Sequence, residues 1–141
     1  MQRTVERMLR TSPEAPFASA DPLCAAIHAC VECAQVCTAC ADACIADQSR
    51  ALGRCIRINL DCADICTTAS RVLSRQLEPD LAVVSMTLQL CAAVCDACAY
   101  ECSRHAAHHA HCDVCAAACR RCTDACRALL GTTVDTRRYH H

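Results

Sequence analysis

Tryptophan and lysine are absent from the 141-residue chain, phenylalanine occurs once (Phe17), tyrosine twice (Tyr100, Tyr139) and glycine twice (Gly53, Gly131). Without aromatics, the large side chains that usually dominate a core of this size are missing. The four prolines (Pro13, Pro16, Pro22, Pro79) and two glycines leave long stretches with no helix breaker. Alternating runs of β-branched residues are also missing, so an all-α fold is predicted. A net charge of -1 and a pI near 6.6, with arginine as the sole strongly basic residue, give no field to draw nucleic acid or an anionic membrane. The first ten residues carry a charge at every turn and offer no apolar signal-peptide core. No uninterrupted apolar run approaches the ~18 residues that read as a membrane span. A soluble, cytoplasmic protein with no nucleic-acid or membrane partner is expected. No Ser/His/Asp set, phosphate-binding glycine loop or paired carboxylates stand out, so no catalysis is expected.

What the chain has instead is cysteine, 18 of 141 residues. In a reducing cytoplasm such cysteines remain thiols, which points to metal before disulfides. The punctuation predicts a short helix around Val5 to Leu9, a linker through Pro13 and Pro16, and four long helices. These run from Asp21-Pro22 to about Asp47, from about Leu52 to Gln76, from Pro79 to about Ala106, and from about His109 to Leu130, where Gly131 supplies a stop. Short connections between four such helices predict an up-down-up-down four-helix bundle over residues 21–131, preceded by a short N-terminal helix and linker (1–20) and followed by a tail (132–141).

The cysteines keep a helical register. Cys30, Cys33, Cys37, Cys40 and Cys44 follow spacings of three and four, the rhythm of a buried seam. Cys91, Cys95, Cys98 and Cys102 repeat it in the third long helix, and Cys112, Cys115, Cys119, Cys122 and Cys126 in the fourth. The second carries Cys55, Cys62 and Cys66, with Asn59 at the intervening seam position. Cys24 fits its seam worst, because at ~100° per residue it falls well off the stripe; it stays among the candidate ligands, to act from the first turn or merely to pack. Charged residues, among them Glu32, Asp61 and Glu101, fall between the cysteines and read as a solvated outer face. Extended to one end of an antiparallel bundle, the seams become Leu73, Leu81, Val84, Leu88 and Leu129, a hydrocarbon plug. At the other end the third seam continues to His105 and His109, with His108 and His111 in the same turn. The seam position of His105 and His109 argues for ligation and His108 stays open between ligand and solvated turn, whereas His28, His140 and His141 read as surface, and Met8 and Met86 lie off the seams.

Several chemistries use clustered cysteine. A lone buried cysteine is ordinarily a small hydrophobe, but seventeen on inward seams would make a thin, poorly filled core. Disulfide stapling needs an oxidising compartment. Zinc takes four ligands in a closed tetrahedron, usually wrapped by turns, and iron–sulfur clusters take four cysteines set in loops. Cu(I) is soft, prefers thiolate and accepts two or three sulfurs, so stripes on facing helices suit many ions. Charge favours it too, since roughly one Cu(I) per thiolate leaves the interior neutral. An iron–sulfur or zinc protein and a disulfide-stapled scaffold remain the alternatives.

The cysteine seams of Cys30 to Cys44, Cys91 to Cys102 and Cys112 to Cys126, with the His105-Ala-Ala-His108-His109-Ala-His111 cluster before Cys112, resemble the cytosolic branch of the bacterial copper storage (Csp) family. The resemblance spans about Asp21 to Leu130. It implies a four-helix bundle lined by thiolates, Cu(I) along its length, and homotetramers, with copper chaperones as possible partners. It further implies that His105, His109, His111 and Asn59 sit at an open mouth where copper enters. The secreted branch carries a twin-arginine signal, which this chain lacks.

Overall fold

The structure, a computed structural model, describes residues 2–133. The expected tail falls, from residue 134 on, outside the described residues, as do Tyr139, His140 and His141. The described residues form five α-helices, α1 (Gln2–Thr11), α2 (Ala20–Asp47), α3 (Gly53–Ser74), α4 (Leu81–Ser103) and α5 (Ala110–Thr133), with one 3-10 turn at Arg50–Leu52. No strand occurs among the described residues.

The helix ends follow local chemistry, with a few departures from expectation. α2 begins at Ala20, a residue before Asp21, so Asp21 and Pro22 lie in its first turn, where an acidic side chain and a missing N–H are both tolerated. It ends on Gln48, which adopts φ 56° and donates its N–H to Ile45 O. α4 begins two residues after Pro79, because Asp80 is its cap and accepts from the N–H groups of Ala82 (3.0 Å) and Val83 (3.1 Å). α5 passes through Gly131 to Thr133. Gly131 keeps helical geometry with φ negative, so it does not act as the left-handed stop expected of it.

α2 to α5 form a ring in which α2 packs on α3, α3 on α4, α4 on α5, and α5 back on α2, the up-down-up-down arrangement. Their inner faces meet so closely that sulfurs touch across the diagonal, as in Cys30 and Cys91 at 3.8 Å. One end is closed by hydrocarbon as predicted, with Leu73, Leu81, Val84, Leu88 and Leu129 buried together with Leu23 and Ile27 of α2 and Leu9 of α1. The buried Gln76 fastens the linker over this end, its Nε2 donating to Leu73 O (2.8 Å) and its Oε1 accepting from Phe17 N (3.1 Å). By length and composition α2 and α4 are apolar enough to cross a membrane. Much of that apolar character is cysteine turned into the bundle.

Candidate metal centre

All 18 cysteines are thiols and all are buried. The seventeen on the seams form one column of sulfur. From the leucine end inward, Cys30, Cys91, Cys122 and Cys126 form one quartet, followed by Cys33, Cys62, Cys66 and Cys95, then Cys33, Cys37, Cys62 and Cys119, then Cys37, Cys98, Cys115 and Cys119. Within each quartet the sulfurs lie within 4.8 Å of one another. The closest pairs are Cys66–Cys95 at 3.4 Å and Cys55–Cys102 at 3.5 Å. Cys33, Cys37, Cys62 and Cys119 each belong to two quartets, so the sulfurs do not divide into separate tetrahedra.

Asn59 crosses this column. It is fully buried, and its Nδ2 lies 2.7 Å from Cys55 O. A carbonyl oxygen only accepts, so the NH2 group must face it, and this fixes the orientation of the amide. The same NH2 points at the sulfurs of Cys55 (3.3 Å), Cys102 (3.4 Å) and Cys40 (3.6 Å). The amide oxygen accepts from the thiols of Cys115 (2.9 Å) and Cys98 (3.3 Å). Asn59 therefore does not sit at the open mouth, as the resemblance implied. It lies a helical turn deeper than Cys55, a position enclosed by thiols, and separates Cys40, Cys55 and Cys102 from the deeper sulfurs.

Outside it, Cys40, Cys44, Cys112 and His111 form a mixed quartet, with His111 Nε2 3.4 Å from Cys44 Sγ and Cys112 Sγ 3.9 Å from it. His105, His109 and His111 cluster at this end, the ring centroids of His105 and His109 6.5 Å apart and those of His109 and His111 5.7 Å apart. His108 is exposed. The mouth is less polar than anticipated, because Leu52 of the 3-10 turn is buried there. Cys24 lies beyond the column on the leucine side, buried near α1, where burial first and then Glu6 and Asp21 raise its thiol pKa. His28 is partly buried, 3.6 Å from Glu32, and Met8 and Met86 are exposed.

Two carboxylates escaped the seam reading. Glu101, expected on the solvated face, is 6% exposed and lies against His105, and Asp47 lies against His109. The Glu101-x3-His105 spacing, one face of one helix, was the available signal.

The hydrogen bonds between thiols of the apo column hold some of their pKa values up and others down. The Cys30 thiol is raised by hydrogen bonding to Cys122, Cys126 and Cys91 and then by burial, and Cys95 likewise by its bonds to Cys122, Cys33 and Cys62. At the mouth side Cys112 is pushed up to about 12, first by burial and then by the charge of Cys44. Other thiols are lowered, Cys33 by hydrogen bonding with Cys119, Cys122 and Cys37, and Cys122, to about 7, by hydrogen bonding with Cys126 and Cys30. A cation that replaced these protons would find its ligands already assembled.

An antiparallel bundle with a continuous buried column of thiols, closed by leucine at one end and fringed by imidazole at the other, is a container for soft metal ions. The copper storage protein family model matches residues 19–131, and the chain belongs to that family. Ccsp of Streptomyces lividans, in a structure loaded with 10 copper equivalents, is 47% identical, with a TM-score of 0.84 over 91% of this chain and 98% of that one. The Cu(I)-bound BsCsp3 structure is 36% identical, with a TM-score of 0.67 over 75% of this chain and 95% of that one. The cysteine-rich protein YhjQ of Bacillus subtilis is 36% identical over 106 residues, 74% of this chain and 93% of its own length.

Proposed function

We propose that the bundle of residues 21–131 stores Cu(I), holding roughly one ion for each of the seventeen seam thiolates, and that His105, His109 and His111 receive the ions at the open end. The observation that carries this is the sharing of sulfurs between neighbouring quartets. Isolated Zn(II) sites would need private tetrahedra and would each leave a net negative charge on four thiolates, whereas Cu(I) and thiolate balance one to one along a dry column. Burial of this many thiolates without a matching charge would be prohibitively costly. Function is binding without turnover, and loading should release about one proton per ion. Asn59 and the cysteines around it form the passage between the mouth and the deep column, and Cys24 packs without binding.

The setting we infer is the cytoplasm, with copper chaperones as donors. A homotetramer is supported by the apolar stripe that Val83, Met86, Leu90, Ala93, Ala97 and Tyr100 leave exposed along α4, where small residues let a second helix approach. Anaerobic titration with Cu(I) against a chromophoric chelator tests the storage reading. Saturation near seventeen ions per chain is the expected result. An end point of one to four, or brown protein with visible iron–sulfur absorption, would replace it with the zinc or iron–sulfur alternative.

A further inference from the structure

The carboxylates behind the mouth histidines occupy places that stability alone would not choose. Asp47 is the last residue of α2 and Glu101 lies in the final turn of α4, where the negative end of the helix dipole disfavours an anion. Glu101 is buried as well, which costs free energy unless both its oxygens are engaged. They are: Oε1 lies 3.3 Å from His105 Nε2, and Oε2 accepts from Arg104 Nη1 at 3.3 Å. Asp47 Oδ2 lies 2.7 Å from His109 Nδ1 and 3.6 Å from His111 Nε2. Residues that break a local rule while touching a site are the ones most often kept by function.

A neutral imidazole has one N–H and one lone pair, and an ionised carboxylate can only accept. The ring nitrogen facing each carboxylate therefore carries the proton. His109 is held as the Nδ1–H tautomer, which leaves Nε2 with the lone pair, and His105 as the Nε2–H tautomer, which leaves Nδ1 with it. We propose that Asp47 and Glu101 are positioning residues for copper entry, fixing His109 and His105 in opposite tautomers so that each offers a bare nitrogen before an ion arrives. This rests on the reading of the histidine end as the entrance.

The spacing agrees with a shared first stop. Ring centroids 6.5 Å apart are close to the span of two imidazoles bridged by one ion, two metal–nitrogen bonds of about 2 Å plus two ring radii. The next residues inward are His111 and Cys44, whose Sγ lies 3.4 Å from the His111 ring. Each exchange from imidazole to thiolate moves a soft ion toward a softer ligand, so the ion runs downhill into the column. Outer partners that orient metal-binding histidines typically change affinity or activity 10- to 100-fold when removed.

The test is anaerobic stopped-flow uptake from a Cu(I)–chelator complex, read together with imidazole 15N NMR of the apo protein. The NMR should show His109 protonated at Nδ1 and His105 at Nε2 in the unaltered chain. Asp47→Asn, at a half-exposed helix end, and Glu101→Gln should each slow uptake about 10-fold, broaden the matching ring into a tautomer mixture, and leave final capacity unchanged. Asp47→Glu should restore most of the rate. The opposite tautomers in the unaltered protein, or unchanged rates in both variants, would overturn the proposal, as would slowed uptake with tautomers intact. The double variant His105→Ala/His109→Ala separates the two readings. If it leaves uptake fast, copper enters elsewhere and the entrance reading falls; if it slows uptake while the carboxylate variants do not, the positioning proposal alone falls.

Discussion

Replacing Asn59 by alanine removes the one amide in the thiol column, and its cost should depend on whether copper is present. In the apo bundle the amide accepts from Cys115 at 2.9 Å and Cys98 at 3.3 Å and donates to Cys55 O at 2.7 Å. A net hydrogen bond contributes about 1 kcal/mol, with thiol donors at the weak end, so the set is worth about 1–2 kcal/mol. The side chain is fully buried, so its removal also leaves a void costing about 1 kcal/mol. The sum, about 2–3 kcal/mol, should lower the apo melting temperature by about 10 °C for a chain of this length. Once Cu(I) has displaced the thiol protons, Cys98 and Cys115 no longer donate to the amide oxygen, and metal–sulfur bonds dominate the interior. The same substitution should then shift the loaded protein by only about 2–3 °C, the void being partly relaxed. Thermal unfolding followed by far-UV circular dichroism, apo and loaded, measures both shifts. Equal shifts in the two forms, or an apo shift under about 2 °C, would refute the assignment of Asn59 as a hydrogen-bonding bridge specific to the thiol state.

At the opposite end, Leu88→Ala should cost about 3–5 kcal/mol, because Leu88 is fully buried in the plug, yet chelator titration should find its copper capacity unchanged; a lost ion would place metal among the leucines. Cys24→Ala should likewise leave capacity at the level of the unaltered protein, since Cys24 lies apart from the column beside α1, and a fall of one ion would return it to the ligand set. Apo stability should also fall as pH rises above about 9. The folded-state pKa of Cys112 is raised to about 12 from an ordinary value of 9.0, so above 9 the unfolded chain sheds a proton that the folded chain keeps, and stability present below that pH is lost as pH climbs toward 12. Melting temperatures from about pH 8 to 11 should decline for apo protein and stay nearly level for loaded protein, whose thiols are already deprotonated; a flat or rising apo curve would contradict the raised thiol.

Much of the molecule was legible because its core and its binding column are the same residues. A hydrophobic-period argument normally finds the core and leaves the site to be found by other means. Here the spacing of Cys30 to Cys44 and of Cys112 to Cys126 located both at once, and the change to leucine at Leu73, Leu88 and Leu129 located the closed end. The period fails where the helices end. α4 stops at Ser103, and a helical turn through His105 to His108 carries the chain into α5. Glu101 lies one heptad after Val94, which is buried too, so this flank of α4 is covered, and Glu101 is buried against His105 while Asp96, ~140° round the helix, stays exposed. Depth along the seam was hidden for a related reason. Spacing says that Asn59 faces inward but not how much protein lies beyond it, and the 3-10 turn that buries Leu52 closes the bundle past Cys55. The amide therefore belongs to the interior. An ion that passes the imidazoles must reach the deep column by way of Cys40, Cys55 and Cys102, the sulfurs on which the Asn59 N–H groups converge. Of those three, Cys40 and Cys55 are raised, first by hydrogen bonding with Cys102, whereas Cys102 is lowered to about 4, the raising bond with Cys115 being outweighed by those with Cys40, Cys55 and Cys98. Cys102 is thus the thiol at the neck held most ready to release its proton.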